Sequence, residues 1–236
     1  MLNFFRMSMR QLRVRVDSVV YAAVGLFFVS MAAVYTLAGY FDQVRSTNFI
    51  ISVAFSKEPS RSVAAFFFPL VAFFSALIFT ARFLGGYEAH NKIIRKPSVF
   101  FRYLYLPLSL ASCVGMVGTS AVSLDHNKPI HSFFALSMFA LGLLALLIAT
   151  IDDYRRFGGL KLIVLLRAVV LSVAIISFAG MLFGIFVTKN RLVIGTSEVI
   201  MAFLVFMYLV SFAHDYKGRY IVISLGSAPA QTELLV

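Results

Sequence analysis

Charge is scarce in this chain. Asp, Glu, Lys and Arg make up 13% of 236 residues, whereas 61% are hydrophobic and the mean hydropathy is +0.91. A soluble domain carries about 25% charged and roughly 45–50% apolar residues, so a water-soluble fold of this length is excluded. Cysteine is limited to Cys113. One thiol permits no internal disulfide, and inside an apolar run it reads as a small buried apolar residue. Tryptophan is absent. No Asn-x-Ser/Thr acceptor occurs, so the sequence carries no glycosylation mark of compartment. G-x-S-x-G, H-E-x-x-H, paired-cysteine and phosphate-loop motifs are all missing, which removes support for hydrolase, zinc and nucleotide chemistry. No metal and no cofactor are expected. Acidic residues are few as well, 10 against 21 Lys and Arg, for a net charge of +11. The basic residues sit between long apolar runs and not along one stripe. They therefore read as membrane flanks facing anionic lipid and not as a nucleic-acid footprint.

What is present is long apolar runs. Six are expected to span the bilayer, at 19–41, 63–84, 99–122, 129–151, 162–187 and 194–214. Each exceeds the minimum of about 17 residues for a helix crossing hydrocarbon. The fold class is therefore all-α, a polytopic six-helix bundle. It divides into a basic N-terminus at 1–18, a transmembrane domain at 19–214 and a tail at 215–236. Pro69 and Pro107 fall within spans and are expected to kink them. Of the Lys and Arg outside the spans or at their ends, fourteen fall on the side of the termini and six on the other. That bias places both termini in the cytosol.

The first sixteen residues carry Arg6, Arg10, Arg13 and Arg15 and no acid. A mitochondrial targeting segment is one reading, but a cytosolic basic flank orienting the first span fits the long apolar run that follows. The tail from Gly218 onward is amphipathic and then small and polar, and is expected to be flexible. Its last residues, Leu234, Leu235 and Val236, offer a weak hydrophobic C-terminal ligand for a partner's groove. A tail without such a role is the plainer reading. Gly180 and Gly184 form a G-x-x-x-G pair suited to close helix contact. The many Phe residues read as lipid-facing or packing groups.

Ionisable groups within spans are costly, by about 2.5–3.5 kcal/mol at the centre, so each is a candidate for a role. Arg167 lies six residues beyond Lys161, about 9 Å into the fifth span. The sixth span ends at His214 and Asp215, and geometry allows Arg167 to pair with Asp215. The other reading is that Arg167 snorkels to the headgroups. Glu198 is 17 residues from Asp215, about 25 Å along a helix, so these two acids cannot form a paired-carboxylate centre. The side opposite the termini gathers Asn48, Glu58, Arg61, Asp125, His126, His131 and Glu198. His131 and Glu198 are the catalytic candidates, since a histidine with a carboxylate can do general acid–base work where the groups converge. Asn48, Glu58, Arg61, Asp125, His126, Arg167, His214 and Asp215 are read as lipid-binding or structural polar residues.

Three segments together resemble the DRAM/FRAG/SFK family of six-span proteins. They are the loop at 48–61 (NFIISVAFSKEPSR), Pro129-Ile130-His131 opening the fourth span, and Glu198 followed by Asp215-Tyr216 across the last span. The resemblance covers nearly the whole chain, in the same order. Asn48-Phe49, Ser52 and Pro59-Ser60-Arg61, with Asp215-Tyr216-Lys217-Gly218-Arg219, are similar to the branch that matures GPI anchors after their attachment to proteins. Ser60 stands where that branch has Gln, and the missing Trp is a second departure. Ala202-Phe203 and the Phe212–Asp215 spacing are shared with the DRAM branch of lysosomal autophagy modulators. The SFK branch organises plasma-membrane lipid and its kinase.

The resemblance implies a factor for maturation or lipid remodelling of GPI anchors in the Golgi or ER, catalytic or lipid-presenting on the lumenal side. Its partners would be membrane lipids, GPI-anchored proteins or a partner membrane protein. The alternative is a non-enzymatic DRAM- or SFK-like scaffold at the lysosome or plasma membrane, its basic loop and N-terminus touching anionic headgroups. A transporter would need polar residues near the midplane, and the spans have almost none.

Overall fold

The computed structural model describes residues 10–44, 50–92, 97–157, 159, 161–225 and 234–235. The apolar runs fold as six long helices, each of a length and composition able to cross a membrane. Helix α1 is Val16–Tyr40, and a one-turn helix α2 follows at Ile51–Ala54. Helix α3 is Ser60–Lys92, α4 Leu106–Ala121, α5 Lys128–Phe157, α6 Leu162–Phe183 and α7 Arg191–Asp215. Each long helix packs on the next in sequence, and α7 closes the ring against α1. The bundle core holds a stacked pair, Phe27 and Phe206, with centroids 3.7 Å apart, and Phe55 edge-on to Phe68 at 4.6 Å. Large side chains such as Ile176, Phe186 and Phe66 face outward, as a lipid-solvated bundle requires.

Helix ends follow local chemistry. The Asn190 side chain caps α7 by accepting from the Leu192 and Val193 N–H groups at 2.9 and 3.4 Å. Just before it, Lys189 adopts a left-handed turn, and a π-helical turn at Gly184–Thr188 ends the ascent of α6. Pro107 lies within the third span, Phe101–Ala121, as expected. It stands in the first turn of α4 behind a π-helical turn at Phe101–Tyr105. A proline lacks the N–H that would continue the ladder, and the wider turn accommodates the break. Pro69 lies inside α3, which continues through it.

Part of the tail, expected to be flexible, forms strand. Strand β1 (Arg10–Arg15) pairs antiparallel with β2 (Tyr220–Leu225), in register from Arg10 opposite Leu225 to Arg15 opposite Tyr220. A short β3 (Leu234–Leu235) pairs with Tyr220 and Ile221 of β2. Leu234 and Leu235 thus have an intramolecular partner, and Val236 lies outside the described residues. Ile221, Val222 and Ile223 supply β-propensity in β2, opposite Val14 and Leu12 of β1, and the Val16 N–H donates to the Arg219 carbonyl at 3.0 Å, tying sheet to bundle. Both tails therefore sit at one end, called here the near side; the opposite end is the far side.

Candidate functional site

Two separate polar centres lie in the bundle. At the near side, Arg82 of α3, Asp153 of α5, Arg167 of α6 and Asp215 of α7 form a closed ring of alternating charge. Arg167 reaches Asp153 and Asp215 at 2.7 Å each, and Arg82 reaches Asp215 at 2.9 Å and also pairs with Asp153. The Arg167 guanidinium further donates to the Ser211 hydroxyl at 2.8 Å and to its carbonyl at 2.9 Å. The Phe212 ring centroid lies 5.0 Å from each guanidinium. Beside the ring, Asp152 accepts from the Ser98 N–H at 2.8 Å and pairs with Arg156 at 3.3 Å. Burial pushes the Tyr216 phenol upward, keeping it a neutral donor to the Ala81 carbonyl. Two cations and two anions pair with one another, so this centre ties four helices together, while Arg82 Nε stays buried without a hydrogen-bond partner among the described residues.

The far-side polar residues do not converge as one cluster. Glu198 projects from α7, seven residues in from Arg191 and so about 10 Å along the helix. One of its carboxylate oxygens accepts from the Ser52 hydroxyl at 2.8 Å and the other from the Ile51 N–H at 2.9 Å. The pair of bonds satisfies the start of α2 and seats the first loop on the bundle. Glu58 instead receives the N–H and hydroxyl of Ser62 at 3.1 and 2.6 Å, at the start of α3. The Gln43 amide joins the Glu58 carbonyl at 2.6 Å and accepts from the Ser60 hydroxyl at 2.5 Å. His131 is buried in the first turn of α5. Its Nδ1 lies 2.6 Å from the Val122 carbonyl, and Nε2 has no partner.

The acid–base pairing of His131 with a carboxylate is therefore not formed. The carbonyl at the end of α4 takes the ring nitrogen, and Glu198 is committed to α2. Asp125 and His126 are exposed in the turn between α4 and α5, and Arg61 is half-buried at the start of α3. His214 is exposed, while its neighbour Asp215 turns into the near-side ring. Arg167 pairs with Asp215 and does not reach toward the headgroups. Asn48 lies outside the described residues. Sequence reasoning reached Ser52 only through the family resemblance, with no site role, and missed Arg82, Asp152 and Asp153. Arg82 falls within the expected second span yet counts as a loop charge by position, and it was readable as buried from that placement alone.

Glu198 and Ser52 border an internal cavity of about 60 Å³, which lies among α1, α3, α4, α5 and α7. Its walls are apolar for most of its length, with Phe68, Phe79, Met116 and Leu209 among them. Ser75 also lines it, and the Ser75 hydroxyl is buried without a hydrogen-bond partner. A carboxylate has about four acceptor positions, so Glu198 keeps free lone pairs beside the cavity after holding α2. The arrangement can accept a hydrogen bond from a ligand and surround an apolar chain. Among the described residues, no group of three His, Cys, Asp or Glu gathers to hold a metal.

No match to the chain was found among curated proteins or among solved structures. The model of the Frag1/DRAM/Sfk1/Cwh43P N-terminal domain matches residues 16–218, from the first turn of α1 to just beyond α7, and the chain belongs to this family of membrane proteins.

Proposed function

We propose that this chain is a membrane factor for the maturation of GPI-anchor lipids, presenting a lipid on the far side of the bundle. The carrying observation is the meeting of Glu198, Ser52 and an apolar cavity on that side. The near-side cations and anions are paired with one another, whereas the far-side carboxylate borders a cavity. Presentation fits better than covalent catalysis, because Glu198 uses both oxygens on α2 and His131 faces a carbonyl. The GPI lipid is suggested by the resemblance of the loop at 48–61 and of Asp215-Tyr216. The surplus of Lys and Arg beside the termini supports a cytosolic near side, and so a lumenal far side in the Golgi or ER. GPI-anchored proteins, or an enzyme that receives the lipid, are the partners this reading implies.

The test is mass spectrometry of GPI-anchor lipids in cells lacking the protein. Altered acyl chains or shed GPI-anchored proteins are expected, with rescue by the wild type and by Asp125→Asn at an exposed turn. Glu198→Ala should fail to rescue at equal expression. Unchanged anchors would overturn the reading and favour a DRAM- or SFK-like lipid-organising scaffold.

A further inference from the structure

We infer that the internal cavity is a binding site for one acyl chain of a membrane lipid, with the neutral junction between chain and headgroup held at Glu198 and Ser52. The inference rests on the lipid-handling reading of this site and not on the identity of the GPI headgroup. Its first support is shape. On α7 the lining runs from Glu198 to Leu209, eleven residues and about 16 Å, and on α3 from Phe68 to Phe79, again eleven. A volume of about 60 Å³ has room for a segment of one alkyl chain at a time. Two chains or a sterol ring system would not fit.

The second support is chemistry. Water would find partners only at Ser52, Ser75, Ser112, Thr119 and Glu198, while most of the wall is apolar and offers it none. An alkyl chain restores the dispersion contacts that an empty cavity forfeits. Acyl chains are also the solvent around a membrane bundle. At the far-side end, the free lone pairs of Glu198 suit a junction bearing a hydroxyl hydrogen. No Lys, Arg or His lines the cavity. A free fatty-acid anion would therefore meet a carboxylate with no cation to offset it, and is disfavoured.

The full-length protein is incubated in detergent with a lysophosphatidylcholine whose single chain carries a diazirine. A parallel sample receives the free fatty acid with the same chain. After irradiation, peptide mass spectrometry should place the lysolipid label on wall residues such as Met116, Met138 and Phe206. Ala202→Leu and Ser75→Leu fill the cavity from two different helices. Each should reduce that labelling by about tenfold or more, as steric overlap replaces favourable contact, while the thermal midpoint shows that the variant is folded. If one variant does not fold, the other, together with competition by unlabelled lysolipid, decides. Label confined to outward residues such as Ile176 and Phe186, or unaffected by filling and competition, would overturn the site. Equal wall labelling by the fatty acid would overturn the assignment of a neutral junction. Wall labelling with unchanged GPI anchors would keep the cavity and remove the GPI reading; altered anchors without wall labelling would do the reverse.

Discussion

Asp153 stands between two guanidiniums with its side chain fully buried. Its removal leaves Arg82 and Arg167 with only Asp215 to share, and an uncompensated buried charge is among the costliest single defects. Asp153→Ala is expected to lower stability by about 3–5 kcal/mol, read as a lower thermal midpoint in detergent. Lys217→Ala, at an exposed position just past α7, should fall within about 0.5 kcal/mol of wild type. Equal midpoints for the two variants would show that the ring contributes nothing. The Arg167–Asp215 half of this ring is legible in sequence because span depth and helical rise place both residues at one level. In the other half Arg82 is legible as a charge within a span, but its partner Asp153 is not. Asp153 lies just past an expected span end and resembles an ordinary flank residue, and nothing local says that α5 turns it toward α3 and α6. Glu198 is legible as a buried acid, but its partner Ser52 comes from a loop whose path only tertiary packing sets.

At the scale of elements, glycine spacing governs how closely helices approach. The G-x-x-x-G pair does bring α6 and α7 together: a Cβ on Gly180 would meet the Ser197 hydroxyl at 2.9 Å, and one on Gly184 would meet Ile194 at 2.8 Å. The α4–α5 contact uses small residues that no such motif advertises. A Cβ on Gly115 would stand 2.8 Å from the Met138 backbone nitrogen, and one on Gly118 would overlap the Phe134 ring. Backbone cannot swing aside as a side chain can. Gly115→Val is therefore expected to cost about 1–3 kcal/mol or more through overpacking. Gly25, in the middle of α1, has nothing within 4 Å of its added Cβ. Gly25→Ala should stabilise by about 0.5–1 kcal/mol, since glycine loses more chain entropy on becoming helical. Thermal midpoints moving in opposite directions would confirm that approach distance, not glycine content, is what α4 and α5 require. The six spans themselves are legible to within a few residues, because apolar length is a property of the sequence alone. The π-helical turns and the terminal sheet are not, since both depend on how neighbouring segments close.

For the whole molecule, the open question is which compartment each side faces. Pairing of β1 with β2 fixes the tails on one side, but the bundle carries no mark of the membrane's polarity beyond its charges. Arg82 belongs to the buried ring and should be set aside, which still leaves thirteen Lys and Arg at the near side against six at the far side. Such a bias orients short-looped proteins with the basic side in the cytosol. Cys113 is the chain's single cysteine and is buried, so introduced cysteines can report position without much background. Lys217 marks the near side, and Lys57 and Asp125 mark the far side; all three are exposed. Cells expressing Lys217→Cys, Lys57→Cys or Asp125→Cys would be treated with digitonin to open the plasma membrane alone and then with an impermeant maleimide. Labelling of Lys217→Cys at this stage is expected, with Lys57→Cys and Asp125→Cys reacting only after full solubilisation. The opposite order would place Glu198 and Ser52 toward the cytosolic leaflet. A lumenal GPI lipid would then lie at the wrong end of the bundle, while the acyl-chain proposal, which depends on no compartment, would stand unchanged.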